Sequence, residues 1–523
     1  LKFLLENSFR NFRRTGGKNM VEELHKLQNG TDIRGIAIEN PEKKVNLTAV
    51  EVKAIAGGFM KWLKDKKNIK KEKIKIAVGM DSRLSGSEIK KVILNELVNL
   101  GCSVYDCGLC TTPAMFMTTV LEDYKCDGSI MITASHLPYY HNGLKFFTEN
   151  GGCEKEDIKY ILDSAEKKDF KYPSYKGEIS KVDFIDTYSS LLVEKIRKGI
   201  NSNENYEMPL SKFKIIVDAG NGAGGFFASK VLKKLGAEVE GSQFINPDGR
   251  FPNHIPNPEA KEAMDSIRKA VLENKADLGI VFDADVDRAA IVDAGGMEIN
   301  RNSLIALISS IILEEHPGST IVTDSVTSNG LSEFIENLGG KHHRFKRGYR
   351  NVINEGIRLN EQGEKCYLAI ETSGHAALKE NYFLDDGAYL ISKILVKMAK
   401  LHKQGKSIED LIKTLKISPE SLEFRFNILD SNFKDYGYKI LDDLKKYIEK
   451  INGWNEAPNN YEGVRVNCNK LNGDGWFLLR ISLHEPVLCL NIESDSKDGI
   501  KVIMDNLKNF LINYNELNIS SFK

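Results

Sequence analysis

Three stretches of the chain share one order of apolar and polar positions. A near-continuous Val/Ile run leads into a glycine-containing turn, then an amphipathic run, then a second strand-like run. The first stretch is "KIKIAVGMDSRLSG", "EIKKVILNELVNLG" and "CSVYDCG". The second is "FKIIVDAGNGAGG", "FFASKVLKKLG" and "AEVEG". The third is "GSTIVTDSVTS", "NGLSEFIENLG" and "GKHHRF". Unbroken apolar strands alternating with helices of about ten residues predict parallel sheets built from βαβ units. Gly101, Gly236 and Gly339 fall where a helix C-cap belongs. The tail differs. After "ISPESLEFRFNI" comes an amphipathic helix, "YGYKILDDLKKYIEKI", then "YEGVRVNC", "GWFLLRISL" and "VLCLNIES", then a last helical run. That order predicts antiparallel pairing in an α+β module. The expected fold class is α/β: three related βαβ mixed-sheet domains at 28–180, 181–299 and 300–417, a C-terminal α+β domain at 418–523, and a leader at 1–27.

Composition narrows the function classes. A chain of 523 residues is too long for one core, and 41% apolar with 28% charged residues suits buried cores rather than disorder. Net charge is zero, so electrostatics gives no reason to expect nucleic acid or an anionic membrane as partner. The longest apolar run, "SLIALISSIIL", is too short for a membrane span. The eight cysteines lack the spacing of a secreted disulfide framework, which points to a reducing cytosol. Cys102, Cys107 and Cys110 match one iron–sulfur spacing, but they lie in a strand-and-turn context and read as small buried thiols. The Lys-rich stretch 61–75 reads as a solvated helix end and loop.

Four stretches carry chemistry. In "GIVFDADVDRAAIV", Asp283, Asp285 and Asp287 alternate directly after an apolar strand. In extended chain they share one face, and three converging carboxylates repel unless a cation sits among them. Oxygen-only ligands favour Mg²⁺, with Arg288 as an anion contact beside it. A calcium loop would need Gly where Arg288 stands. In "MITASHLPYYHNGLK", Ser135 is either a turn residue or a nucleophile. His136 and Lys145 are close in sequence, and Asn142-Gly143 offers a turn that would bring Lys145 back over Ser135. In "AIETSGHAALKE", Glu371, Ser373 and His375 alternate, a set suited to a polyhydroxylated ligand or to a buried polar turn. In "LLRISLHEP", Arg480, Ser482 and His484 stand at a strand end, where Arg binds phosphate bidentately or simply faces solvent. "DAGNGAGG" lacks the register of a dinucleotide fingerprint and suits close helix–strand packing.

In that order, "TASHLP" with "NGLKFF", "DADVDR", "ETSGH" and "RISLHEP" resemble the active-site, metal, sugar and phosphate loops of the α-D-phosphohexomutase family, phosphomannomutase/phosphoglucomutase branch. The resemblance runs from "NGTDIRG" almost to the C-terminus. It implies four domains around a central cleft, each giving one loop. It implies reversible phosphoryl transfer between O1 and O6 of glucose or mannose phosphates through a phosphoserine and a hexose 1,6-bisphosphate, which also serves as activator. Ser135 would be the phosphoserine and, with Asp283, Asp285 and Asp287, would hold Mg²⁺. Arg34, His136 and Lys145 would lie at the reacting phosphate. Arg83 would be structural support. Arg288 and Lys346 would contact ligand, Glu371, Ser373 and His375 would read sugar hydroxyls, and Arg480, Ser482 and His484 would grip the other phosphate. Phosphoglucosamine mutase is the nearest enzyme alternative, and a non-catalytic sugar-phosphate-binding paralogue is the alternative of another class. A monomer or weak homodimer is expected, with hexose phosphates as partners and neither nucleic acid nor membrane.

Three positions depart from the family's pattern: Leu137 where Asn is usual, and Leu483 and His484 where small or polar residues are usual. His484 is expected to replace the usual hydroxyl. The segment "GGKNM" can be encoded by GGAGGTAAAAATATG, a purine-rich ribosome-binding site before a start codon. Met20 is therefore expected to begin a bacterial cytoplasmic protein, with a plastid transit segment as the alternative for residues 1–19. Intact-mass measurement of the natural protein should give a chain starting at Met20; a chain retaining residues 1–19 overturns this expectation.

Overall fold

A computed structural model describes residues 24–69, 73–482 and 485–522. The expected start at Met20, Leu483 and His484 lie outside the described residues. The chain forms two compact units. One holds the chain up to Asn300 with Ser373–Ala377 and Asn381–Ile408; the other holds Arg301–Thr372, Leu378–Glu380 and Glu409–Lys523.

The first unit contains two sheets. In the larger one, Gly128–Ile132, Lys75–Met80, Ser103–Leu109 and Glu178–Lys181 run parallel, His141–Thr148 adds antiparallel to Gly128–Ile132, and Asp32–Ile36 adds antiparallel to His141–Thr148. Ile76, Val78, Ile130 and Ile132 pack against Phe59, Trp62, Ile93 and Ile161 from three helices, which is why the strand runs are unbroken apolar. Two loops leave this framework toward the chemistry. Residues 133–140 join Gly128–Ile132 to His141–Thr148. In the second sheet, residues 283–288 join Leu278–Phe282 to its antiparallel neighbour Ala289–Asp293.

The second βαβ repeat is only partly formed. Ile215–Asp218 pairs in parallel with Leu278–Phe282, but "AEVEG" contributes a single bridge, Lys214 to Glu238. Its exposed glutamates alternate with just two apolar positions, too little to bury a strand edge. The helix is a π-turn, Phe227–Leu232, followed by a 3-10 turn, Lys233–Leu235. The wider turn accompanies two adjacent rings that pack in different directions, Phe227 on Phe282 and Phe226 on Tyr188. The "DAGNGAGG" loop is a packing device. A Cβ on Gly222 would lie 2.6 Å from Ala284 Cα, and Ala223 N–H donates to the Ala284 carbonyl at 2.8 Å.

In the second unit, Lys341–Phe345, Thr320–Asp324 and Cys366–Ile370 run parallel, as the third repeat predicts. Six antiparallel strands form the C-terminal sheet. Phe426, Leu479 and Leu490 from its strands share one core with Ile440 and Leu444 of Phe433–Ile448 and with Ile503 and Leu507 of Gly499–Leu511. Gly101, Gly236 and Gly339 cap helices at φ +83°, +85° and +77°, where a side chain is disfavoured. All eight cysteines are buried free thiols, and burial pushes Cys102 and Cys110 up to about 12. Among the described residues, no helix is long and apolar enough to cross a membrane.

One buried ion pair anchors the start of the second sheet. His254 Nδ1–H donates to the Ile255 carbonyl at 2.8 Å, and Nε2 lies 3.0 Å from Asp218 Oδ2. Both nitrogens thus face acceptors, which favours the imidazolium. Burial opposes the charge, but the Asp218 hydrogen bond and charge prevail and raise the His254 pKa. A raised folded pKa gives stability that is full below the unfolded value of about 6.5 and is lost as pH rises through the folded value. His254→Gln should cost about 2 kcal/mol or more near pH 6 and distinctly less near pH 9, read by denaturation at both pH values. An equal loss at the two would refute the ion pair.

Candidate active site

The alternation Asp-Ala-Asp-Val-Asp does not act as an extended strand. Leu278–Phe282 ends at Phe282, and residues 283–288 form a turn in which Val286 takes φ +66°. The carboxylates converge because the chain coils around them. Ala284 and Val286 are buried, and the Asp285 carbonyl accepts from Thr112 N–H. Asp283, Asp285 and Asp287 are fully buried, with one oxygen of each within 4.8 Å of the others.

Such a cluster needs compensating charge. Lys145 Nζ lies 2.5 Å from Asp287 Oδ2 and 3.1 Å from Asp285 Oδ2; Arg288 Nη2 lies 3.1 Å from Asp283 Oδ2. Thr112 Oγ1 donates to Asp285 Oδ2 at 2.5 Å. Burial and the neighbouring Asp287 and Asp285 push Asp283 well above the usual carboxylate range. Burial acts the same way on Asp287, but Lys145, His375 and Arg288 outweigh it and hold Asp287 below that range. Asp285 Oδ1 and Asp287 Oδ1 are buried and accept no hydrogen bond among the described residues. Hard, orphaned carboxylate oxygens fit a divalent cation.

Ser135 faces this cluster. Its Oγ lies 3.2 Å from Asp283 Oδ2, 3.0 Å from Arg288 Nη2 and 3.3 Å from His136 Nδ1. Arg288 Nη2 also donates to His136 Nδ1 at 2.8 Å, so that nitrogen is an acceptor and the ring is neutral. Burial, then Arg288 and Arg34, drives the His136 pKa far below its ordinary value. Arg34 itself donates to Asp32 at 2.9 Å and stands on the strand beside Gly143.

The turn expected at Asn142-Gly143 does not form. Both residues lie inside the strand His141–Thr148, opposite Gly35 and Arg34, because the chain has already reversed at 136–140. Lys145 reaches the aspartates as a strand residue opposite Met131.

The Ser135 loop is held through its backbone. Ser135 takes φ +51°, uncommon for a non-glycine residue, and its N–H donates to Thr133 Oγ1 at 2.9 Å. The buried Arg83 guanidinium donates to the carbonyls of Ser135, Leu137 (2.7 Å), Pro138 (3.0 Å) and His141 (3.0 Å), and Arg83 Nε pairs with Asp81 at 3.2 Å. Leu137 therefore contributes a carbonyl that any residue supplies, and its side chain is only half-buried.

The residues of "ETSGH" divide. His375 Nε2 lies 3.7 Å from Asp287 Oδ1, and Ser373 Oγ lies 2.8 Å from His375 Nδ1. His375 thus belongs with the acidic cluster, not on one face of an extended loop with Glu371, since a turn at 372–374 intervenes. Asp385, which the sequence did not single out, can share a ligand position with Asp287 and His375. Burial, then Asp287, pushes Asp385 up to about 7. Its signal is faint: two acids before the glycine in "FLDDG".

The second unit holds the remaining candidates. Glu371 Oε1 accepts from Gly348 N–H at 2.6 Å. Lys346 is exposed. Arg480 is buried, with Nη1 4.0 Å from Glu462 Oε1 and Nε without an acceptor among the described residues. Ser482 follows it, its N–H donating to the Val487 carbonyl at 2.8 Å. Glu462 and Arg347 were missed. Glu462 accepts from Ser325 Oγ and from Arg347 N–H, and Arg347 Nε lies 3.9 Å from Asp324.

Residues 25–172, 191–296 and 300–416 match the alpha/beta/alpha domains I, II and III of phosphoglucomutase/phosphomannomutase. The chain is 31% identical over 432 residues to a phosphomannomutase/phosphoglucomutase of Pseudomonas putida, covering 82% of this chain and 86% of that protein. The chain belongs to the phosphoglucomutase/phosphomannomutase family. It is also 30% identical to a phosphoglucomutase of Neisseria gonorrhoeae, covering 83% of this chain and 88% of that one. A crystal structure of a family protein from Burkholderia thailandensis superposes with TM-score 0.75 at 26% identity, covering 93% of this chain and 96% of that one.

Within this family framework Arg83 is a clamp that a lysine cannot copy, since one ammonium cannot reach four carbonyls in a plane. Arg83→Lys should lower stability by about 2 kcal/mol and open residues 135–141 to proteolysis. A wild-type melting temperature with an intact loop would refute the clamp.

Proposed function

We propose that the protein interconverts hexose 1-phosphates and 6-phosphates, glucose and mannose phosphates foremost, with Ser135 as the phosphoryl carrier. One observation carries the reading: a buried serine hydroxyl lies within hydrogen-bonding distance of Arg288 and of an aspartate in a three-carboxylate cluster. A nucleophile, a guanidinium for phosphate oxygens and cation-binding oxygens share one place, as phosphoryl transfer needs. The family names of the relatives point the same way.

Asp283, Asp285 and Asp287 would hold Mg²⁺ with an oxygen of phosphorylated Ser135. When bound, the ion supplies charge neutralisation for the transferred phosphoryl group. Ser135 Oγ gives that group to the free O6 or O1 hydroxyl of the sugar phosphate and later takes the other phosphate back. The bisphosphate turns end for end between the two transfers, and added glucose 1,6-bisphosphate primes the enzyme. Arg288, Lys145 and Arg34 stabilise the equatorial oxygens. His136, neutral with Nδ1 accepting from Arg288, keeps its Nε2–H and would donate a hydrogen bond at the reacting phosphate. Glu371, Ser373 and His375 would read sugar hydroxyls, with Lys346 as a further contact. Arg480 and Ser482 would grip the phosphate not in transfer. A reducing, cytoplasmic setting suits the eight free thiols.

Labelled glucose 1,6-bisphosphate should phosphorylate the wild type on Ser135 and leave Ser135→Ala unlabelled. Asp285→Asn should lower kcat by roughly 10²–10³-fold, as loss of one electrostatic stabiliser does, and chelation of divalent cations should abolish turnover. Rates with glucose, mannose and glucosamine phosphates under identical conditions fix the substrate. A clear preference for glucosamine 6-phosphate, or failure to label, would overturn the reading.

A further inference from the structure

A second concentration of positive charge lies in the other unit, in a cavity of about 210 Å³. Arg344 and Arg465 line it with Ser332, His342, His343 and Asn459. Lys346, Glu371, Arg480 and Ser482 are not among its lining residues, so it is separate from the residues given to hexose phosphate.

Arg465 is buried and Arg344 partly buried, and the carboxylates that act on them, Glu493 and Asp324 foremost, do so from beyond ion-pair distance. Arg465 is 3% exposed and stacks on Trp476 at 3.6 Å. Its Nη atoms donate to the carbonyls of Ser325 and Thr327 and to Asn329 Oδ1. Its Nε finds no acceptor among the described residues. Arg344 donates to Thr327 Oγ1, the Ser328 carbonyl and the same Asn329 Oδ1. Every partner is neutral. Neither arginine has a carboxylate within ion-pair distance among the described residues. Glu493 is held by Trp476 Nε1 at 2.9 Å, and Glu336 lines the cavity but is exposed. Burial and the neighbouring Arg344 press the Arg465 pKa well down; burial presses Arg344 down to about 10. Arginine does not give up its proton at neutral pH, so this pressure is electrostatic stress. A buried guanidinium beside a second, partly buried one, both with neutral hydrogen-bond partners, is costly, and an anion in the cavity they line relieves the cost.

We propose that this cavity is a binding site for a phosphate-class dianion, free or as the monoester of a small metabolite, held by Arg344 and Arg465 and distinct from the hexose phosphate grip. Planar guanidinium groups suit a tetrahedral oxyanion. The volume leaves room for one such ion with bound water, whose share of the liquid is about 30 Å³ per molecule. The site joins the loop 325–329 to the strand Val464–Cys468. It lies next to Glu462, which accepts from Ser325 and stands 4.0 Å from Arg480. Occupancy would stiffen the support of the residues given to substrate phosphate.

The test uses the full chain, dephosphorylated, with Arg480→Ala to remove the substrate-phosphate grip. Calorimetric titration with inorganic phosphate at constant ionic strength should give one ion bound per chain. Ser332→Glu and the near-isosteric Asn459→Asp each put a carboxylate on the cavity wall. Each should weaken phosphate binding at least tenfold and raise the melting temperature without phosphate, because the new charge does the anion's work. Asn459→Asp keeps the test decisive should the larger replacement fail to fold. Glycerol 3-phosphate binding as tightly as phosphate would identify a monoester as ligand, and binding of phosphate alone the free ion. No binding of either in the Arg480→Ala chain, or binding indifferent to both carboxylates, would overturn the proposal.

Discussion

Three carboxylates buried within a few ångströms of one another are the constraint on which the rest of the first unit depends. Asp283, Asp285 and Asp287 have no exposed surface, so water cannot screen their repulsion. The compensation comes from two directions. Arg288 belongs to the same turn, and Lys145 comes from a strand of the other sheet. The two sheets of the unit are therefore coupled through charge as well as through packing. Neutral contacts lock the same junction: Thr112 against Asp285, and the glycine loop against Ala284. Removing one partner of such a set leaves an uncompensated buried charge, which costs far more than a surface ion pair is worth.

The serine loop is adapted to that charge. Its hydroxyl must face the acids, so Ser135 accepts a left-handed backbone, and four of the carbonyls around it are gathered by one guanidinium. Binding by carbonyls makes the side chains between them free to vary. That accounts for Leu137, whose side chain looks out of place in the sequence but whose carbonyl is what the clamp holds.

The second unit shows the opposite sign. Arg480 and Arg465 are buried, each with an Nε that finds no acceptor among the described residues, and Arg344 is partly buried with neutral hydrogen-bond partners. A guanidinium placed this way is poised for an oxyanion.

The apolar periodicity was enough to establish the first and third α/β repeats, the antiparallel tail and the glycine caps, but not how far the second repeat forms. Burial on both faces of a strand and on one stripe of a helix leaves a direct imprint on residue order. Spacing also named the three aspartates, because like charges placed so close have few reasons to exist, whereas Ser135 stood out only through the family resemblance. Other features were not legible in one dimension: the coiling of 283–288 in place of an extended face, the strand that delivers Lys145, the move of His375 to the acids, and the roles of Asp385 and Arg465. Each depends on which distant residue lies opposite. Contacts such as Lys145 with Asp287, separated by 142 positions, leave no periodic trace. The sequence by itself determined most of the elements and which residue types carry the chemistry. Only the tertiary structure decided which charges meet, because the balance of buried charge is struck between segments that are neighbours in space and strangers along the chain.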